Sequence, residues 1–323
     1  MFTLPFQIPK SSSKIGLSDS IFSMGSCFAE NMSHLLLENK FKALANPFGT
    51  IYNPHSIFKV IRTVLSSDFN ADAIIENSGV YYHWDAHSEV SETNLSRLKS
   101  RLLETSKTAR AQLLASHWLI ITLGTAKVYS LRSSNEIVAN CHKIPQKQFD
   151  SRLMTEMEIV ESFESTHHLI KKHNPNINII LTVSPVRHIR DGLVENNMSK
   201  GVLLNAVNRI TSAHSNIHYF PAYELMIDVL RDYRFYKRDM IHPSDHAVEY
   251  IWDRFCETYL DEQSISFLGK WDKIKRALNH KAFHPKSEAH QRFLKEIKSQ
   301  LVSLTSQIDI EKELAIIEKQ LDQ

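Results

Sequence analysis

Apolar residues along this chain follow two periods that take turns. Short continuous runs of strand length occur at Ser20–Met24, Trp118–Leu123, Ile177–Val183 and Ile217–Phe220. Several of them stop at small or turn-forming residues: Gly25, Gly124 and Ser184-Pro185. Between the runs the spacing becomes that of amphipathic helices. Phe28, Met32, Leu35 and Leu36 fall at i, i+4, i+7 and i+8, and Leu95, Leu98, Leu102 and Leu113 mark a helix ending near Ser116. Further helices are predicted over Glu156–Lys172 and Ser199–Ala213. After His242, Pro243-Ser244 is a helix start, and Val248, Ile251, Trp252, Phe255 and Tyr259 then form one face. Such alternation predicts an α/β fold with a mostly parallel sheet between helices.

Beyond residue 262 the pattern changes. Trp271, Ile274 and Leu278 predict a short amphipathic helix broken at His284-Pro285. Leu294, Ile297, Leu301, Leu304 and Ile308 then alternate spacings of three and four, a short heptad-like seam. Residues 1–262 are therefore read as the main domain and 263–323 as a C-terminal helical extension. The seam packs on the chain's own domain or, as the alternative, forms a homodimer through these helices.

Composition narrows the function classes. With 42% hydrophobic and 23% charged residues the chain is an ordinary globular protein. Its net charge of +2 is spread without long single-sign runs, so neither a nucleic-acid partner nor an anionic membrane surface is expected. No signal-peptide core or membrane-spanning stretch is seen. Cys27, Cys141 and Cys256 form no CxxC pair, so neither a disulfide framework nor a zinc site is expected, and the cytoplasm is the default location. The His83/His87 and His214/His218 spacings lack a third ligand nearby; no metal and no cofactor are assigned.

In an open parallel sheet, ligands bind at the carboxyl ends of the strands. At the first such end, Gly25 permits a tight turn and puts Ser26 and Cys27 at a helix N-terminus. The free N–H groups there favour a thiolate or an oxyanion. The same position also suits a small buried cysteine. Asp239 and His242 lie three residues apart in the loop before the last helix of the domain, where a carboxylate can orient a histidine base or merely cap the helix. Gly49, in Asn46-Pro47-Phe48-Gly49, and Thr125, in Leu123-Gly124-Thr125-Ala126, sit in turns able to approach a ligand. Asn140-Cys141-His142-Lys143 and Ser184-Pro185-Val186-Arg187-His188 are further loop clusters; His142, Ser184 and His188 are candidate pocket residues.

Gly25-Ser26-Cys27-Phe28-Ala29 followed by Asp239-x-x-His242 resembles the GSCFA family, within the wider SGNH (GDSL-like) hydrolases. The resemblance runs from about Phe2 to Leu260. It includes the Asn46, Leu123 and Asn140 motifs and the run from Tyr219-Phe220-Pro221 to Asp232-Tyr233-Arg234-Phe235. It implies a flavodoxin-like three-layer α/β/α sandwich and ester or acyl chemistry. Carried over, Gly25 matches the first block, Gly49 the oxyanion glycine, and Asp239 and His242 the last block.

Two departures from that pattern matter. The family group's first block reads Gly-Asp-Ser, so register puts Cys27 on the nucleophilic serine; the competing reading keeps Ser26, shifted by one residue. Its third block places an asparagine donor two residues after a glycine, whereas Gly124 is followed by Thr125 and Ala126. Thr125, Asn140 or another group substitutes, or catalysis is weak, or the site binds without turnover. The resulting expectation is a carboxylic-ester hydrolase acting on an acetyl or other small acyl ester, a carbohydrate ester by analogy. His242, oriented by Asp239, would activate Cys27, with Gly49 and Thr125 at the oxyanion. An acyltransferase using the same residues and a non-catalytic binding module are the alternatives.

Overall fold

The four apolar runs form strands because each is covered on both faces. In the computed structural model, which describes residues 4–280 and 282–322, β1 (Ser20–Gly25) leads directly into α1 (Cys27–Glu38). A short strand, β2 (Lys42–Ala45), and α2 (Pro54–Leu65) follow. Next come a small antiparallel sheet of β3 (Ile74–Asn77), β4 (Val80–His83) and β5 (Ser91–Glu92), and then α3 (Leu95–Ala115). The run β6 (Trp118–Leu123) precedes a second small sheet, β7 (Lys127–Leu131), β8 (Ile137–Val138) and β9 (Phe149–Leu153), followed by α4 (Glu156–His173). The α/β unit closes with β10 (Asn178–Val183), α5 (Leu193–Ala213), β11 (Ile217–Tyr219), the single turn α6 (Ala222–Glu224) and α7 (Asp245–Tyr259). Three further helices complete the chain: α8 (Glu262–Asn279), α9 (Glu288–Val302) and α10 (Glu311–Leu321).

The central sheet runs β11-β10-β6-β1-β2 with every pair parallel. In order of appearance its strands therefore lie 2-1-3-4-5, the flavodoxin-like doubly wound arrangement. The chain moves outward from β1 to β2, then returns past β1 to β6. Connections leave in opposite directions at the β1–β6 boundary, which opens a crevice above the carboxyl ends of these two strands.

Alternating strand residues feed two cores. Phe22, Met24, Leu119, Ile121, Ile179 and Leu181 pack with residues of α2, α3, α4 and α5. Ile21, Trp118, Ile120 and Ile180 pack with Phe28, Met32 and Leu36 of α1 and with Ile251 and Phe255 of α7. The result is the three-layer α/β/α sandwich.

Local signals explain where the helices start. Asn53 caps α2 by accepting from Ser56 N–H, and Pro54 occupies its first turn, where no amide donor is needed. Thr155 and Glu158 close a reciprocal capping box on α4. α5 begins at Leu193, earlier than the expected Ser199; Leu193, Val194 and Met198 of its first turns are exposed and show the core no apolar face.

The C-terminal seam is used within the chain. Leu294, Ile297, Leu301, Leu304 and Ile308 are all buried with Phe267, Trp271, Ile274 and Ile317. α9 ends at Val302, short of the expected run to Ile308, and the turn after it carries Leu304 and Ile308 back into that cluster. The extension docks on the end of α1: Trp271 Nε1 donates to Glu38 O at 2.8 Å and Lys275 Nζ to Asn39 Oδ1 at 2.9 Å. Of the two spans expected as domain and extension, residues 1–3, 281 and 323 lie outside the described residues.

Candidate active site

The turn between β1 and α1 is held from three sides. Gly25 has φ +141°, and a Cβ there would lie 2.1 Å from Thr122 O, so only glycine fits. Its N–H donates to Asn46 Oδ1 at 2.8 Å, and the next amide, Ser26 N–H, donates to Thr122 O at 3.0 Å. Ser26 is the N-cap of α1. Its hydroxyl is buried and accepts from Phe28 N–H at 3.3 Å. The two candidate nucleophiles thus have different environments: the Ser26 oxygen serves the helix, and Cys27 is half-buried at the first helical position, just past the carboxyl end of β1.

Burial pushes the Cys27 thiol up, and the Glu30 carboxylate adds to this; the amides of Cys27 and Phe28 and the Lys200 cation pull the other way. Lys200 is the residue that sequence reasoning missed. Its side chain is 1% exposed, and its Nζ donates to Gly124 O at 2.6 Å and Ser184 O at 2.7 Å. Burial lowers its pKa to about 7, with the Cys27 charge opposing that shift. A Ser-Lys-Gly triplet in a helix reads as surface; only the docking of α5 against the ends of β6 and β10 buries it.

Asp239 and His242 come together as expected. His242 Nδ1 and Asp239 Oδ2 are 2.7 Å apart, and Asp239 Oδ1 accepts from the amides of Ile241 (2.9 Å) and His242 (3.0 Å). Three donors to one carboxylate bring Asp239 down to about 2. The loop is pinned at its base by the Tyr236–Pro243 bridge, with Lys237 N–H donating to His242 O and Ser244 N–H to Phe235 O. With Nδ1 on the carboxylate, Nε2 is the free nitrogen of the imidazole.

The other expected residues divide. His188 and His142 line a cleft of about 440 Å³ with Tyr52, Thr125, Asn140 and Arg190. His188 stands edge-on to Tyr52, with ring centroids 5.1 Å apart, and burial takes it down to about 4. His142 is itself buried, and both ring nitrogens are engaged, Nδ1 with Ser88 Oγ at 3.0 Å and Nε2 with His83 O at 2.8 Å. Its first task is to hold the small sheet against the loop after β8.

Ser184, expected in the pocket, is fully buried instead; its hydroxyl accepts from Val186 N–H and its carbonyl from Lys200. The two expected oxyanion donors are occupied within the fold. Gly49 N–H donates to Asn46 O at 2.7 Å, and the amides of Gly124 and Thr125 both donate to Tyr52 O, at 2.8 and 3.1 Å. The Thr125 hydroxyl pairs with Ser199 Oγ at 3.0 Å. Gly49 is nonetheless required where it stands: it has φ +73°, and a Cβ would meet His87 Cβ at 2.4 Å. Asn46 offers the hydrogens these groups lack. Its Nδ2 is buried with no partner among the described residues, on the same side chain that holds Gly25. Its position in the Asn46-Pro47-Phe48-Gly49 motif was visible; its free amide was not.

The fold is a doubly wound α/β sandwich with a half-buried thiol just after its first strand and a histidine–carboxylate pair in the loop before α7. Residues 20–255 match the family described as GSCFA family, and residues 271–323 match GSCFA domain protein, C-terminal domain. The chain belongs to the GSCFA family. No curated protein matches it. Among solved structures it is similar to an acetyl xylan esterase (Est2A) from the rumen bacterium Butyrivibrio proteoclasticus. The two share 12% identity with a TM-score of 0.33, over 77% of this chain and 63% of that one. The chain thus spans less than two thirds of the esterase's length. No helix among the described residues is long and apolar enough to cross a membrane.

Proposed function

We propose that this chain is an SGNH-type hydrolase of small acyl esters that works through a thioester on Cys27. The observation that carries the reading is the division of labour at the β1–α1 turn, where Ser26 is buried as a helix cap and Cys27 is a half-buried free thiol. Because burial raises the thiol, Cys27 keeps its proton until a base removes it. His242 Nε2 takes that proton, the sulfur bonds to the ester carbonyl carbon, and the carbonyl electrons move onto oxygen. Collapse expels the alcohol, which leaves with the proton from His242. Water, deprotonated by the same imidazole, then cleaves the thioester, restoring the thiol and releasing the carboxylic acid. Asp239 holds the ring and stabilises its cation. The Cys27 amide and Asn46 Nδ2 are the oxyanion donors, and the polar cleft beside Tyr52 and Asn140 receives the alcohol part, a sugar-sized group in our reading.

One observation favours a second assignment of the base. Lys200 is buried, senses Cys27, and is brought to about 7 by burial, so it too can take a thiol proton near neutral pH. The test is turnover of acetyl esters and acetylated sugars by wild type, Cys27→Ala, Ser26→Ala, His242→Ala, Lys200→Met and Asn46→Ala. Loss with Cys27 and His242, retention with Ser26, and a fall of ~100–1000-fold with Asn46 are expected. Loss with Lys200→Met but not with His242→Ala moves the base to Lys200. Loss with Ser26→Ala but not with Cys27→Ala reverses the nucleophile. Turnover only in the presence of an acyl acceptor other than water makes the chain a transferase, and none on any ester makes it a binding module.

A further inference from the structure

The middle of α4 and the end of α5 bring together a cluster that sequence spacing did not foretell. Glu164 and His167 stand at i and i+3 on α4, hence on one face. His214, the residue that ends α5, meets them there rather than pairing with His218. One ligand-type atom from each of the three lies within 4.8 Å of the other two. His214 Nε2 and Glu164 Oε1 are 2.8 Å apart, and the two imidazole rings meet edge to face with centroids 4.4 Å apart. His167 stacks on Phe163 and is 8% exposed, yet its Nε2 is buried with no hydrogen-bond partner among the described residues. A buried imidazole nitrogen without a partner costs free energy unless something binds it.

We propose that Glu164, His167 and His214 form a binding site for a transition-metal dication of the zinc type, with water in the fourth position. Two imidazoles and one carboxylate are the donor set such an ion prefers, whereas calcium and magnesium favour all-oxygen sites. Tetrahedral bonds of ~2.0–2.1 Å need donors ~3.3 Å apart. The Glu164–His214 pair, now at hydrogen-bond distance, would have to open by about half an ångström, and the surface carboxylate of Glu164, 42% exposed, is free to make that adjustment. Burial shifts His167 downward, in the direction of the neutral form that ligates. His214 lies between the end of α5 and the start of β11, hence at the amino end of that strand, whereas Cys27 follows the carboxyl end of β1. The ion's part is structural: it clamps α4 to the junction of α5 and β11.

The test is titration of the metal-free full chain with Co²⁺ and with Zn²⁺, read by the visible absorption of cobalt and by zinc-induced change in Tm. One equivalent of cobalt should give the intense bands of a tetrahedral site, zinc should displace it, and zinc should raise Tm. Glu164→Gln, His167→Gln and His214→Gln should each weaken binding by at least about tenfold, since even partners of metal ligands matter that much. His34→Gln, which removes an exposed histidine beside Glu38, should leave binding intact. Should His167→Gln not fold, the more exposed Glu164 and His214 carry the same comparison. Absence of the tetrahedral spectrum, its survival in Glu164→Gln and His214→Gln, or its loss in His34→Gln overturns the proposal.

Discussion

The two halves of the proposed machinery are built on opposite plans. The Cys27 half is framework: Gly25 is wedged against β6, Ser26 is spent on a cap, and Lys200 is sealed beneath among carbonyls. The His242 half is a loop whose Asp239 and His242 side chains are 44% and 43% exposed and which holds its shape through local bonds to one carboxylate. In the first half the fold sets the chemistry, because removing water makes every nearby charge count. In the second the chemistry is self-contained, and the fold only presents it. Damage to the frame of the first half, Gly25 and Ser26, should therefore register as stability, and damage to the second half as rate.

The largest expected effect comes from Gly25→Ala. A positive φ and a Cβ 2.1 Å from Thr122 O combine strain with overpacking, so urea unfolding should show a loss of ~3 kcal/mol or more, or no folded protein. Gly79→Ala is the control: it has φ +79° but open space around it, and should cost only ~1 kcal/mol. A similar cost for both would mean that the wedge against β6 is not what fixes the turn.

Next come His242→Ala and Asp239→Asn. Each should lower kcat by ~100–10,000-fold while leaving the urea midpoint where it was. A shifted midpoint with unchanged kcat would invert the comparison.

Lys200→Met should have a smaller effect, seen in pH dependence. A lysine brought from 10.5 to about 7 is neutral in the native state while still protonated in the unfolded chain between those values. The unfolded state then binds the extra proton, so wild-type stability should rise with pH across that window by ~1.4 kcal/mol per unit relative to the variant. Stability curves of the two proteins from pH 7 to 10 check the slope. Parallel stability curves would mean that Lys200 is charged in the fold.

The smallest effect is expected for Ser26→Ala, about 1 kcal/mol for a lost helix cap with turnover retained. Thermal unfolding and ester turnover on the same sample measure both.

The same contrast explains what the sequence disclosed. β1, β6, β10 and β11 were legible because strands covered on both faces are apolar throughout. β2, with one exposed and three half-buried residues, carries no such run, and the strands of the two small sheets are too short and mixed to stand out. At the candidate site, the place of Cys27 at the start of α1 and the Asp239–His242 hydrogen bond were legible from local motif and turn chemistry. Ser184 and Lys200 were misjudged or missed because burial there is decided by α5, a helix brought in from another part of the chain. Gly49 and Thr125 were found as turn residues, but which carbonyl claims each amide depends on loops that meet only in the folded chain.

The docking of the C-terminal helices has a mechanical consequence. α1 is a rod of 12 residues, ~18 Å long, with Cys27 at one end and Glu38 at the other. The near end is clamped by Ser26, and the far end is bolted by Trp271 and Lys275. A rod fixed at both ends neither frays nor turns about its axis, so the sulfur's direction is set partly by residues more than two hundred positions downstream. Cutting the chain before α8 would free one bearing, and the sulfur would gain rotational play without any change in the residues around it.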